Sequence, residues 1–404
     1  MDSKIIKSAE MDRRHRVTNS RVLIVDDMMV MRQLVEACLE NEGFSHFEFA
    51  SDGRECLEKI SEFKPDIIIL DINMPEINGL EVCRQLRAKA KYSDLPILVQ
   101  SALDAPHERT AVFEAGATDF ITKPLNPPEL VSRVRKHLEN QILIHDLKVY
   151  QKRVADELEV AHQMQSLLLP NEKYCQEIAS AYGVEVESFY KASSELGGDI
   201  WGLWPIDKKK FGVYAADFSG HGVGSALNTF RLHTLMESQN FNKANPSDFL
   251  AEINARLHQF LPVGQFSTMM YAVIDIESQE IEYASSAAPN PLVIMNFEDK
   301  VSVTQCESSG LPLGVTASSS YKSMRIPFTA GTRFLLYSDA LIESEVSPQE
   351  QLGTDRLVKM VKSIATQKSG GLVTPLVAKF NRAVNNEIDD DLTLICIGNI
   401  DTSS

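Results

Sequence analysis

Carboxylates stand where apolar runs stop. In RVLIVDD the run ends on Asp26 and Asp27, in PDIIILD on Asp71, in FGVYAADF on Asp217 and in RFLLYSD on Asp339. Further acids flank strand-like segments: Asp199 follows Gly197 and Gly198, and Asp389, Asp390 and Asp391 precede LTLICI. Hard oxygen ligands of this kind hold divalent cations, and cations beside a phosphate support its transfer or hydrolysis. The acids form two groups well separated along the chain, so two sites are expected.

In the first group, Lys123 of the TKP tripeptide and Ser101 at the end of ILVQS join three aspartates. The lysine offers a point charge to a phosphate oxygen, and the carboxylates suit magnesium. The elements that must position them are short β-rich runs, LIV, IIIL and ILVQS, separated by helix-length amphipathic stretches such as MRQLVEACLENEG. This is a βαβ pattern, in which a parallel sheet gathers ligands beyond the carboxyl ends of its strands.

The order VDD, LDINMP, QSA and TKP closely resembles the receiver domain of bacterial response regulators, over roughly residues 20 to 140. The resemblance implies a doubly wound, flavodoxin-like α/β fold in which Asp71 accepts a phosphoryl group from a sensor histidine kinase or phosphotransfer protein. It also implies Mg2+ held by Asp26, Asp27, Asp71 and the Asn73 carbonyl, Lys123 paired with the phosphate, and Ser101 and Phe120 as switch residues.

From Pro128 to Pro170 there is no glycine or proline, which reads as one helix longer than globular helices usually are. Leu143, Leu147, Tyr150, Val154, Leu158, Ala161, Gln165 and Leu168 step by 4, 3, 4, 4, 3, 4 and 3. That is a coiled-coil seam with a stutter, and a homodimer through this linker is expected.

Beyond residue 180, long strands such as VEVESFYKAS, STMMYAVIDI and LTLICIGN alternate with helix pairs, indicating an α+β region with antiparallel sheets. Four acidic positions at strand ends can build a two-metal site that clamps phosphate and activates water. A G-x-S-x-G elbow and a Walker motif are both missing, and Ile200-Trp201 does not continue GGD as a cyclase signature. His221, between Gly220 and Gly222, reads as a turn residue rather than a general base.

The blocks SSELGGDIW, ADFSGHGVGSAL, FSTMMYAVIDI, SGLPLGV, LLYSDALIE and DDDLTLI resemble, in that order, the metal-dependent serine/threonine phosphatases of the PPM (PP2C-like) superfamily. They match its bacterial SpoIIE/RsbU-type branch, over roughly residues 155 to 400. The resemblance implies a β-sandwich flanked by helices and two Mn2+ or Mg2+ ions bridged by Asp217. Asp199 and the Phe218 carbonyl would complete one ion, Asp339 and Asp390 the other. Gly220 and Gly222 would let the backbone pass close to the metals. Asp389, Asp391 and His221 are further candidates, because three consecutive aspartates leave the register open by one. Gly202, Ala340 and Pro289 depart from the family pattern, which bears on substrate contacts and rate without removing a ligand.

The expected layout is an N-terminal extension over 1–19, a receiver over 20–140, a linker helix over 141–170 and a phosphatase over 171–400. The expected function is phosphorylation-controlled hydrolysis of phosphoserine or phosphothreonine on a partner; the resemblance implies a STAS-type anti-sigma-factor antagonist. Two rivals come from other classes: an inactive adaptor that binds a partner when Asp71 is phosphorylated, and a phosphate sink or dimerisation switch. Forty Lys and Arg against 56 Asp and Glu give a net charge of −16, which argues against broad binding to nucleic acid or anionic lipid. No apolar run reaches the roughly 18 residues of a membrane span. The six scattered cysteines suit a reducing compartment, so a soluble cytoplasmic protein is expected.

Overall fold

The computed structural model describes residues 11–101, 106–220, 222–238, 241–297, 300–367, 370–384 and 388–400. The chain divides into two compact units between Val154 and Ala155.

The first unit is built on a parallel five-stranded sheet in the order β2-β1-β3-β4-β5. Its strands are β1 (Arg21–Val25), β2 (His46–Ala50), β3 (Ile67–Asp71), β4 (Ile97–Ser101) and β5 (Asp119–Thr122). Alternation sends Leu23, Val25, Ile68 and Leu70 to one face, against Cys56, Val82 and Leu86. Val22, Ile24, Ile67 and Ile69 go to the other, against Val35, Leu39 and Leu130. Burial on both faces explains why these strands are almost uninterrupted apolar runs. The chain order reverses beside β1, which leaves a crevice past the ends of β1 and β3.

Residues 11–18 are helical, and Val17 is buried in the same core as Leu138 of the helix Pro127–Ser166. The Arg16 guanidinium forks onto both oxygens of Asp146, at 2.8 Å each. The helix Pro127–Ser166 is 40 residues long and contains the division between the units. Leu143, Leu147 and Tyr150 of the expected seam are exposed.

The second unit is a sandwich of two antiparallel five-stranded sheets. Its strands begin with β6 (Val184–Lys191), β7 (Asp199–Pro205), β8 (Lys210–Phe218), β9 (Ser267–Asp275) and β10 (Glu280–Ser286). They continue with β11 (Leu292–Phe297), β12 (Lys300–Gln305), β13 (Met324–Pro327), β14 (Thr332–Tyr337), the short hairpin β15 (Glu345–Ser347) and β16 (Glu350–Gln351), and β17 (Leu392–Asn399). One sheet runs β13-β10-β9-β8-β7 and the other β12-β11-β14-β17-β6. Between them lies an apolar core that includes Phe211, Val213, Phe334 and Ile395. Helices Val223–Ser238 and Pro246–Phe260 cover the outer face of the first sheet, and Gly353–Ala365 and Val373–Ala383 that of the second. The expected α/β unit, long helix and helix-flanked sandwich are all present. Among the described residues, no helix is long and apolar enough to cross a membrane.

Candidate functional site

In the first unit, Asp26 and Asp27 follow β1, Asp71 ends β3, Ser101 ends β4 and Lys123 follows β5. Asp26, Asp27 and Asp71 each bring a carboxylate oxygen to within 4.8 Å of the others. The Lys123 ammonium reaches Asp71 at 2.9 Å and Asp26 at 3.0 Å. Burial raises the Asp71 carboxyl above its ordinary pKa against the opposing pull of Lys123. Burial works against the Lys123 charge, yet its bonds to Asp71 and Asp26 outweigh this and raise its pKa. Three hard oxygens and an adjacent ammonium are a donor set that fits a divalent cation beside a phosphoryl group. Ser101 is buried one strand from Asp71, and Asn73 is exposed two residues beyond it. Phe120 is half-buried in β5, edge-on to Phe113 at 5.8 Å and beneath the Arg109 guanidinium at 5.2 Å.

In the second unit, the acids come from both sheets. Asp199 at the start of β7 pairs directly with Asp217 near the end of β8. Asp339 stands two residues beyond the end of β14, and Asp390 two residues before the start of β17. Burial raises Asp199 well above the ordinary carboxylate range, with Asp217 adding to the effect. Burial, then Asp339 and Asp390, push Asp217 up to about 7; burial, then Asp390, push Asp339 up to about 6. Burial and other carboxylates are thus the leading influences on all three, a concentration of negative charge that fits divalent cations. No three acids of this quartet meet the spacing of Asp26, Asp27 and Asp71. Carboxylates drawn from two facing sheets suit a pair of ions better than one. Asp199, Asp217 and Asp339 line one pocket together with Thr268, Ser338 and Thr393.

The loop before Asp199 is held closely. A Cβ on Gly198 would stand 2.9 Å from the Phe218 carbonyl oxygen and 3.3 Å from an Asp217 oxygen, so only glycine lets these strands meet. Asp391 is buried and accepts from the Ser193 backbone N–H at 2.8 Å, the Ser193 hydroxyl, and the backbone N–H groups of Gly198 and Asp199. Both its oxygens are therefore taken by the loop, while Asp389 and Asp390 are exposed beside the pocket. Gly220 and Gly222 have φ of +88° and +84°, the left-handed region that glycine enters freely. His221 lies outside the described residues.

The family departures have structural counterparts. Gly202 is covered by the Tyr214 ring, whose atoms would lie 2.6–2.8 Å from any added Cβ. Ala340 is buried at the start of the short helix Ala340–Glu343, and Pro289 lines the acidic pocket.

Sequence reasoning placed Gln165 in the coil seam, but the structure puts its side chain elsewhere. Gln165 is buried; its amide N–H donates to the Gly197 carbonyl at 2.7 Å and the Thr229 hydroxyl at 3.0 Å. Its carbonyl accepts from the Gly197 N–H at 3.1 Å. A polar residue in an otherwise apolar seam was the available signal. Gln165→Leu would leave these buried groups unpaired, so a stability loss of about 1–3 kcal/mol is expected. Weaker Mn2+ binding should accompany it, because Gly197 leads directly into Asp199; thermal unfolding and calorimetric titration with Mn2+ check both effects.

Residues 22–135 match the response regulator receiver domain family, and residues 207–399 match the family described as Stage II sporulation protein E (SpoIIE). The response regulator MprA of Mycolicibacterium vanbaalenii is 46% identical over 115 residues, covering 28% of this chain and 48% of that protein. MprA of Mycobacterium leprae is 45% identical over 115 residues, covering 28% and 49%. The chain spans about half the length of the curated relatives it matches. Among solved structures, the SiaA-PP2C domain of Pseudomonas aeruginosa aligns with a TM-score of 0.53 at 18% identity, covering 62% of this chain and 98% of that one. That likeness is one of fold. The two units thus give a receiver-like region followed by a region with a PP2C-like fold. The first unit therefore carries the receiver-family match and the second the SpoIIE-family match.

Proposed function

We propose that phosphorylation of Asp71 controls metal-dependent hydrolysis of phosphoserine or phosphothreonine on a partner protein by the C-terminal domain. The observation that carries this reading is the buried pairing of Asp199 with Asp217 across β7 and β8, with Asp339 brought to the same pocket from the facing sheet. Asp217 would be shared between two Mn2+ or Mg2+ ions, with Asp199 and the Phe218 carbonyl on one side and Asp339 and Asp390 on the other. The ions, when bound, supply Lewis acidity toward phosphate and activation of water. Thr393 donates to Asp199, and Asp391 fixes the backbone that carries it, so the chain orients its own ligand.

In the receiver, Asp26, Asp27, Asp71 and the Asn73 carbonyl would hold Mg2+, and Lys123 would meet the incoming phosphate. The donor would be a sensor histidine kinase or phosphotransfer protein. The resemblance favours a STAS-type anti-sigma-factor antagonist as substrate, and the exposed Leu143, Leu147 and Tyr150 favour a dimer through the helix Pro127–Ser166. In layout terms, residues 20–140 serve as the receiver, 141–170 as the linker and 171–400 as the phosphatase.

The test is Mn2+-dependent hydrolysis of p-nitrophenyl phosphate by the full chain, with and without beryllofluoride as a mimic of phospho-Asp71. Turnover that a chelator abolishes and beryllofluoride changes is the expected result. A folded protein inert in both states would favour the adaptor reading.

A further inference from the structure

Six large apolar side chains lie exposed in three segments of the second unit: Val223 and Leu227 in the first turns of the helix Val223–Ser238, Phe260 and Val263 at and after the end of the helix Pro246–Phe260, and Leu311 and Val315 in a loop, at 47–108% of full exposure. The three segments are bonded to one another. The Ser219 N–H donates to the Phe266 carbonyl at 3.0 Å, and Asn228 donates to the Gln265 side chain at 3.0 Å. Ser267 and Leu313 form an antiparallel bridge, and the Gly314 N–H donates to Asn254 at 2.9 Å. Ser219 is two residues from Asp217 and Ser267 is next to Thr268, both of which line the acidic pocket, so the segments lead up to its lining.

The three segments are also poor in charge, with Arg231, which donates to Asn228 at 3.3 Å, at their border. Residues 222–230, 259–266 and 308–321 contain no Lys, Arg, Asp or Glu, in a chain that is 24% charged with a net charge of −16. An anionic phosphoprotein approaching so acidic a chain gains nothing from long-range attraction. Its affinity must come from short-range burial, and exposed large apolar side chains gathered beside a site mark an interaction surface. We propose that this patch docks the phosphoprotein substrate through apolar side chains flanking its phosphoserine or phosphothreonine. The inference rests on the phosphatase reading above and adds the class of sequence the enzyme selects.

The experiment compares three phosphates with the full chain in Mn2+: p-nitrophenyl phosphate, a phosphoserine peptide flanked by Leu and Val, and one of equal length flanked by Glu and Lys. The wild type is expected to favour the apolar-flanked peptide about tenfold in kcat/KM, what one or two buried side chains supply. Val263→Asp with Leu311→Asp should erase that preference and leave aryl phosphate turnover within about twofold, since exposed side chains carry little folding stability. Val263→Ser should weaken it in the same direction. Aryl phosphate turnover with no preference in the wild type, or with the preference intact in the double variant, overturns this inference alone. A wild-type dimer that the double variant dissociates in sedimentation would assign the patch to a second copy of the chain and overturn it too. Inertness toward all three phosphates overturns the phosphatase reading and this inference together.

Discussion

Asp217→Asn should lower Mn2+-dependent hydrolysis of an aryl phosphate by on the order of 10³-fold, because a shared ligand carries several kcal/mol of charge stabilisation and each 1.36 kcal/mol is a factor of ten. Two buried neighbouring acids are already engaged. Asp199 is engaged by Thr393, and Asp391 has both oxygens on the loop backbone. The fold should survive, since an amide fills the same space and removes one of several crowded negative charges. Stability in chelator provides an independent readout. An unfolded aspartate titrates near about 3.9, whereas burial and the neighbouring acids push folded Asp217 up to about 7. Between those values the folded chain holds a proton that the unfolded chain has lost, so stability is full below about pH 4 and declines as pH rises through 7. The variant should show a flatter pH profile in chelator and a higher Tm than wild type at pH 8. Added Mn2+ should reverse that order, because binding stabilises the folded state by mass action. A wild-type profile as flat as the variant's would remove the electrostatic basis for the site.

Asp71→Asn should abolish incorporation of an acid-labile phosphoryl group from acetyl phosphate, the entire signal rather than a fraction. The amide keeps the shape and can still be packed beneath Lys123, but it is not a nucleophile. Every response of phosphatase rate to acetyl phosphate or beryllofluoride should disappear with it, while the basal rate of the unstimulated wild type remains. Lys123→Ala is a useful companion: it removes the ammonium that touches Asp71 and Asp26 and should leave phosphorylation possible but uncouple it from output. Labelled phosphate retained on Asp71→Asn would place the acceptor elsewhere.

Much of this was readable before the structure because both sites hang on strand ends. An apolar run that stops at an aspartate marks its own C-terminus, which is why Asp71 closes β3, Asp217 lies one residue short of the end of β8 and Asp339 lies two residues beyond β14. Pairing was less legible. That β14 lies between β11 and β17, with β6 at the edge beyond, depends on contacts distant in sequence that no local pattern encodes. The three consecutive aspartates show the limit in miniature. Successive side chains point to opposite sides of an extended segment, so one of Asp390 and Asp391 had to turn into the Gly198 loop, and only the observed bonds identify it as Asp391. Val17 was hidden for a simpler reason. One apolar residue in a charged stretch has no period, yet it is buried in the receiver core, and the segment read as an extension contributes to that unit.

The facing of Asp199 and Asp217 across one hairpin has a consequence for how the site could be lost. Their proximity depends on the length of the turn between Pro205 and Lys210 as much as on the acids themselves. A single residue inserted there would slip β8 by one position and turn its whole alternation over, leaving Asp199 in place and sending Asp217 to the helix-covered side. The hairpin turn, which carries no chemistry, is therefore a fragile point: a length polymorphism in it would silence the centre with every carboxylate still present in the sequence.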